Sequence, residues 1–322
     1  MKNLFKGNFA YVKTSKYLWM FAGGLILVCL ILNLILGTGV DVTFKGGTLA
    51  KFAYTGDLTE QAVTDYLAKT FNYPALDVQL SSATASGSTE EYKLINVYTT
   101  KELGTEGATA LANGLSAQFS ANAIKQDSIS SIRSSVGKLF FLKCMVAVAL
   151  AAVVLIIYVG LRFRKIGGWP AGVMAMVALL HDLTIAYFAF VIFRIPLNDN
   201  FVAVVLTILG YSLNGTIVVY DRIRDNRRKM KAPLAEVADY SLNETFTRNL
   251  NTFITTFVAI ATVAVVAFVW NLDAIISFAV PMAVGVMAGF FSSTFLCIPA
   301  WVAWMNKREA RKAAKERSKG KK

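Results

Sequence analysis

The apolar positions of this chain fall into six runs of membrane-spanning length, separated by segments that are short or strongly polar. A helix needs about 20 mostly apolar residues to cross the hydrocarbon core of a bilayer. Tyr17 to Leu36 reaches that length without a charge and follows a lysine-bearing start, Met1 to Lys16. It is longer than the apolar core of a usual signal peptide, and no small-x-small cleavage site stands clear of it. A retained first span, 17–37, is therefore expected. Further spans are expected near 139–161, 169–193, 200–220, 249–270 and 274–304. Between the fourth and fifth, Pro233 to Leu242 has the pattern of an amphipathic helix lying at the membrane interface. The final segment, 305–322, is a lysine- and arginine-rich tail.

The stretch 38–138, after the first span, is polar and long enough for a small domain. Val40 to Phe44 and Thr48 to Tyr54 read as strands broken by Gly46 and Gly47. Asp57-Leu58-Thr59-Glu60 has the form of a capping box opening a helix to Phe71. Val78 to Ser82 and Tyr92 to Thr99 read as strands on either side of a Ser/Gly-rich turn, Ala83 to Thr89. Glu106 to Phe119 reads as a second helix and Ala123 to Ile129 as a last strand. That order predicts a ferredoxin-like domain. The expected fold is a polytopic α-helical membrane protein of six transmembrane helices, with a small external α+β domain between helices 1 and 2.

Composition agrees: 55% of the 322 residues are hydrophobic and 16% charged. The net charge of +13 is a matter of placement. Lysine and arginine crowd the N-terminal segment, the Arg162–Lys165 loop, the segment 221–249 and the tail, whereas the connections near Arg194 and Asp273 are nearly neutral. The positive-inside rule then puts both termini in the cytoplasm and the polar domain outside. That domain carries eight basic and ten acidic residues. The excess charge thus marks topology, with anionic lipid headgroups or the ribosome surface as partners for the tail and no nucleic acid. Cys29, Cys144 and Cys297 lie in apolar runs without metal-ligand spacing and read as packing residues. A single histidine excludes a multi-histidine metal site. Walker A, GxGxxG and GxSxG patterns are absent, so neither an enzyme nor a cofactor is expected; any work has to draw on an ion gradient or on partners.

Polar groups inside spans are costly unless they meet other helices or water. His181 and Asp182 interrupt the third span, as a proton relay or as a polar contact between helices. Arg248 precedes the apolar part of the fifth, either as a basic anchor or, if that helix begins earlier near Asn243, as a bundle residue followed by Asn251, Thr252, Thr255 and Thr256. Asp221, Arg222, Arg224 and Asp225 close the fourth span, where a solvated helix end is the simpler reading. Gly285 and Gly289 have GxxxG spacing in the sixth.

The stretch Gly210-Tyr211-Ser212-Leu213-Asn214-Gly215-Thr216-Ile217-Val218-Val219-Tyr220-Asp221-Arg222-Ile223-Arg224 resembles the fourth-span signature of the SecF family, in the resistance-nodulation-division superfamily. Asp41 to Gly47, Ser135-Val136-Gly137, His181-Asp182 and Arg248-x-x-Asn251-Thr252 match in the same order. The resemblance implies a bacterial or archaeal cell-membrane subunit paired with SecD and acting with the SecYEG channel, with YidC- or YajC-type subunits alongside. It implies a role in late translocation of secreted proteins, driven by a proton gradient, in some relatives sodium. The family's proton path uses an aspartate in the fourth span and an arginine in the fifth. Arg248 matches the arginine, but the family's Asn-Asp-Thr reads Asn214-Gly215-Thr216 here, and glycine carries no proton. Coupling then rests on SecD carboxylates with help from Asp182, or is lost, or uses water or sodium in the space bounded by Asn214, Thr216 and Asn251. Half of a small-molecule or lipid transporter, and a structural subunit without ion coupling, stand as other readings.

Overall fold

The structure, a computed structural model, describes residues 9–71, 73, 76–84, 91–132, 134–270 and 272–319. The lysine-bearing start up to residue 8, residues 85–89 of the expected turn, Arg133 and the last three residues lie outside them.

Among the described residues, six helical stretches are long and apolar enough to cross a membrane. α1 (Tyr11–Leu36) begins six residues before its apolar run. Its first turn is held by a neighbouring helix, where Val12 N–H donates to Asp239 (2.9 Å) and Phe9 N–H donates to Asn243 (3.1 Å). A carboxylate at a helix N-terminus satisfies orphan donors and opposes the helix dipole. After α1, Val40 to Phe44 does not form the expected strand. Val42–Lys45 is a single helical turn, α2, and Val40 instead bridges to Leu197 in parallel. The turn carries Phe44 into a buried cluster with Phe190 and Leu197.

The external domain then runs β1 (Gly47–Tyr54), α3 (Glu60–Phe71), β2 (Asp77–Thr84), β3 (Glu91–Thr99), α4 (Thr105–Gln118) and β4 (Lys125–Ile132). The strands are antiparallel in the order β2-β3-β1-β4, which is the ferredoxin-like order. Phe52, Ile95 and Val97 from the sheet bury against Val63 and Leu67 of α3 and Leu111 and Leu115 of α4. The expected capping box does not close. Thr59 caps α3 instead, through Ala62 N–H (3.4 Å), while Glu60 accepts from Leu80 N–H (3.0 Å) and Asp57 pairs with Lys93 (2.9 Å). Tyr98 faces the ends of the membrane helices; burial, with Asp41, Asp273 and Asp77 nearby, pushes its phenol up to about 12.

The membrane bundle continues with α5 (Ser134–Arg162), α6 (Gly168–Ile192), α7 (Asp199–Lys229) and α8 (Leu234–Val269). The fourth expected span therefore extends nine residues past Tyr220. The expected interfacial helix at 233–242 is instead the start of α8. Its apolar face buries Leu234, Val237, Ala238 and Leu242 against Tyr220, Ile223 and Trp301, and its polar face supplies Asp239 and Asn243 to α1. Much of both faces is thus used by protein, and Glu236 and Tyr240 are left exposed between them. α9 (Asp273–Phe291), a π-helical segment (Ser292–Cys297) and α10 (Ile298–Lys319) complete the chain, with α10 carrying the basic tail as helix.

Two close approaches depend on glycine. A Cβ on Gly168 would collide with the carbonyl oxygen of Gly160 where α5 meets α6, and backbone cannot swing aside. Gly168→Ala is expected to lower stability by about 2–3 kcal/mol, read as a drop in the thermal unfolding midpoint in detergent. In α9, a Cβ on Gly285 would strike Ile208, and one on Gly289 would sit 3.1 Å from Ser212 Cβ. The GxxxG spacing is thus the seam between α7 and α9.

Candidate functional site

Two polar centres flank that seam, one fully buried and one open to the bundle surface. The first is Asp182 of α6, fully buried. Its Oδ2 accepts from Ser212 of α7 (2.6 Å) and from Ser292 (2.7 Å), and its Oδ1 lies 3.0 Å from His181 Nδ1. An isolated carboxylate this deep costs several kcal/mol. Two hydroxyl donors at the short distances of charge-assisted bonds, with the imidazole as a third partner, offset that cost. His181 Nε2 is buried and has no hydrogen-bond partner among the described residues.

The second centre is a cavity of about 60 Å³ beside Gly215, room for a water or two. Asn214, Gly215 and Tyr211 line it from α7, Arg248, Asn249 and Thr252 from α8, and Gly289 and Ser293 from the α9 side. The position where a Gly215 side chain would begin is not empty: a Cβ there would meet Ser293 Oγ at 3.0 Å. Asn249 Nδ2 reaches the Gly215 carbonyl (3.5 Å). Arg248 also lines a wider vestibule of about 320 Å³ with Asp221, Arg222, Asp225 and Glu244. It therefore stands between the charged end of the bundle and the interior cavity.

The π-helical segment joins the two centres. Its i→i+5 bonding widens the turn, so that Ser292 reaches Asp182 while Ser293 reaches Gly215. No periodicity in the sequence announces a π segment. The available signal is a Ser-Ser pair inside an otherwise apolar run.

The expected site residues separate accordingly. Arg248, Asn214 and Gly215 share the cavity, and His181 and Asp182 share the other centre with Ser212. Thr216 is buried and turned away, its hydroxyl on the Ser212 carbonyl (3.4 Å). Asn251 does not reach the space beside Gly215; Asn249 does. Side chains two apart on a helix point roughly 200° apart, so only one of the two can face α7. Of the remaining motif residues, Asp221 pairs with Arg162 (3.2 Å) and Arg224 (2.9 Å), and Arg222 pairs with Glu244. These pairs tie the ends of α5, α7 and α8 together, so Asp221 and Arg222 hold the bundle. Gly210 has nothing within 4 Å of where a side chain would begin.

One surface is polar where lipid would be expected. Thr207, Gly210 and Asn214 on α7 and Arg248, Asn251, Thr252 and Thr255 on α8 are all exposed. The threonine hydroxyls bond to their own helix, for example Thr207 to the Ala203 carbonyl (2.7 Å). The side chains of Asn214, Asn251 and Arg248 have no hydrogen-bond partner among the described residues.

A family model described as "Protein export membrane protein SecD/SecF, C-terminal" matches residues 113–307. SecF of Alicyclobacillus acidocaldarius is 26% identical over 96% of this chain and 97% of its own length. SecF of Petrotoga mobilis is 27% identical over 94% and 98%. SecDF of Bacillus subtilis is 26% identical over 94% of this chain, which spans 39% of that protein. The crystal structure of SecDF from Thermus thermophilus, a translocon-associated membrane protein, superposes with a TM-score of 0.77 at 23% identity, covering 94% of this chain and 39% of that one. The chain thus spans about two fifths of the SecDF relatives and nearly all of the SecF ones. It is a multi-pass membrane protein and belongs to the SecD/SecF family of protein export membrane proteins.

Proposed function

We propose that this chain is an accessory subunit of a Sec protein export machinery, and that a SecD-like half packs on the polar face of α7 and α8. The observation that carries the reading is that face itself. Unpaired Arg248, Asn214 and Asn251 are costly against lipid and suit a neighbouring protein or a hydrated seam. The chain matches about two fifths of the SecDF relatives, which leaves the SecD-like part of such proteins as the candidate to cover this face. The basic helix ends, tied together by the ion pairs around Asp221 and Glu244, support a cytoplasmic placement of both termini, with the ferredoxin-like domain outside.

In this reading an ion gradient drives late translocation, and the carboxylate that takes up and releases a proton in this half is Asp182. Ser212 and Ser292 hold it, and Arg248 sets the field at the entry from the charged vestibule. Arg248 on the wall of the cavity beside Gly215 favours this over a sodium ion at position 215, since its guanidinium repels a second cation there. The affinity-tagged full chain is expected to copurify with a SecD-type subunit and the SecYEG channel. Isolation without either, together with efflux of a small molecule, would leave the transporter reading in its place.

Gly215→Asp is expected to fold and assemble, with a stability cost of about 1 kcal/mol, because its Cβ is tight only against the rotatable Ser293 hydroxyl and the cavity offers room for the carboxyl group. The new carboxylate would face Arg248 across the cavity. Gly215→Leu overfills the cavity and is expected to cost about 1–3 kcal/mol. Thermal unfolding of the two variants in detergent separates these outcomes.

A further inference from the structure

A groove of about 500 Å³ lies between the first turns of α1, α6 and the start of α10, away from both polar centres. Its apolar walls are Trp19, Met174 and Trp304, and Ala300 and Ala303 leave it open. Its charged end is Lys307, Arg308 and Arg311. Residues 300, 303, 304, 307, 308 and 311 fall at helical spacing, so one face of α10 passes from small to aromatic to basic. All three cations are exposed, and none makes an ion pair among the described residues. The nearby acid, Glu309, is directed to Arg227 of α7 (3.7 Å), leaving the groove uniformly positive.

We propose that this groove is a binding site for a phospholipid with an anionic headgroup. Its phosphate lies against Lys307, Arg308 and Arg311, and its acyl chains run along Trp19, Met174 and Trp304. Indoles favour the membrane–water boundary, and basic pockets between spanning helices at that level match acidic headgroups in charge. The apolar walls fit acyl chains and have no use for free phosphate.

The test is native mass spectrometry of the full chain released from nanodiscs of mixed phosphatidylglycerol and phosphatidylcholine. Phosphatidylglycerol is expected to be retained in preference. Each basic side chain near an acidic headgroup contributes roughly a factor of five. The variant Lys307→Gln/Arg308→Gln/Arg311→Gln is therefore expected to weaken retention by roughly 100-fold. The variant Arg228→Gln/Lys229→Gln/Lys231→Gln removes the same charge outside the groove and is expected to retain the lipid. Circular dichroism of both variants checks that they are folded. Equal loss in both, equal retention of the two lipids, or displacement by inorganic phosphate alone would overturn the proposal. So would a spectrum in which the groove variant loses a second polypeptide instead of lipid.

Discussion

Arg248→Ala is expected to slow gradient-driven secretion at least roughly tenfold while leaving the stability of the isolated chain unchanged within about 0.5 kcal/mol. The guanidinium makes no ion pair or hydrogen bond among the described residues, so its loss removes no contact inside the chain; surface changes of that kind are nearly neutral. Its position is what matters. It lines both the charged vestibule and the cavity beside Gly215, and raising a transfer barrier by only about 1.4 kcal/mol already costs a factor of ten. Arg248→Lys keeps the charge and is expected to retain most of the rate. Secretion kinetics and thermal unfolding of the two variants check both halves of this expectation. Unchanged kinetics in Arg248→Ala would reduce the residue to a basic anchor.

Asp182→Ala is expected to have the reverse balance, with a large cost in stability. It strands the hydroxyls of Ser212 and Ser292 and the buried Nδ1 of His181. Ser292 recovers part of the loss through the Gly289 carbonyl, already 3.3 Å away. A net loss of roughly 3 kcal/mol is expected, at about 1 kcal/mol or more for each buried group left without a partner. Asp182→Asn preserves shape and one acceptor and is expected to cost under about 1 kcal/mol. Its amide cannot take up and release a proton, so it removes function without removing the fold. Unfolding midpoints distinguish the two variants, and assembly of Asp182→Asn with the other export subunits shows that its defect is functional.

Hydropathy made the six spans legible because twenty apolar residues in a row have few other uses. The external domain was legible from alternation and turn residues. Ends and couplings were harder to read. Pro233 to Leu242 has an amphipathic pattern either way, and only the contacts of Asp239 with Val12 and of Asn243 with Phe9 show that part of the polar side meets protein. Val40 to Phe44 has strand composition, yet Phe44 turns into the buried cluster with Phe190 and Leu197, a long-range contact that local composition does not show. At the site, His181, Asp182 and Arg248 are legible because polar groups in or beside a span are conspicuous, whereas Gly215 is legible only through the resemblance to the SecF motif. Asn249 rather than Asn251 faces Gly215 because of which side of α8 packs on α7, and that docking is tertiary information a polar stretch does not carry. Ser292 and Ser293 are hard to place from sequence because a π turn changes which faces consecutive residues occupy, and the Ser-Ser pair is the one local sign of it.

Coupling in this half is proposed to work without a carboxylate at position 215 and to depend on Asp182. The most direct measurement is secretion of a client protein with and without an imposed proton gradient, in membranes holding the full chain, its Asp182→Asn variant, or neither. The gradient is expected to accelerate secretion with the full chain, and to lose that effect both with Asp182→Asn and when the chain is absent. An Asp182→Asn variant that keeps the full gradient response, or a response that persists without the chain, would contradict it.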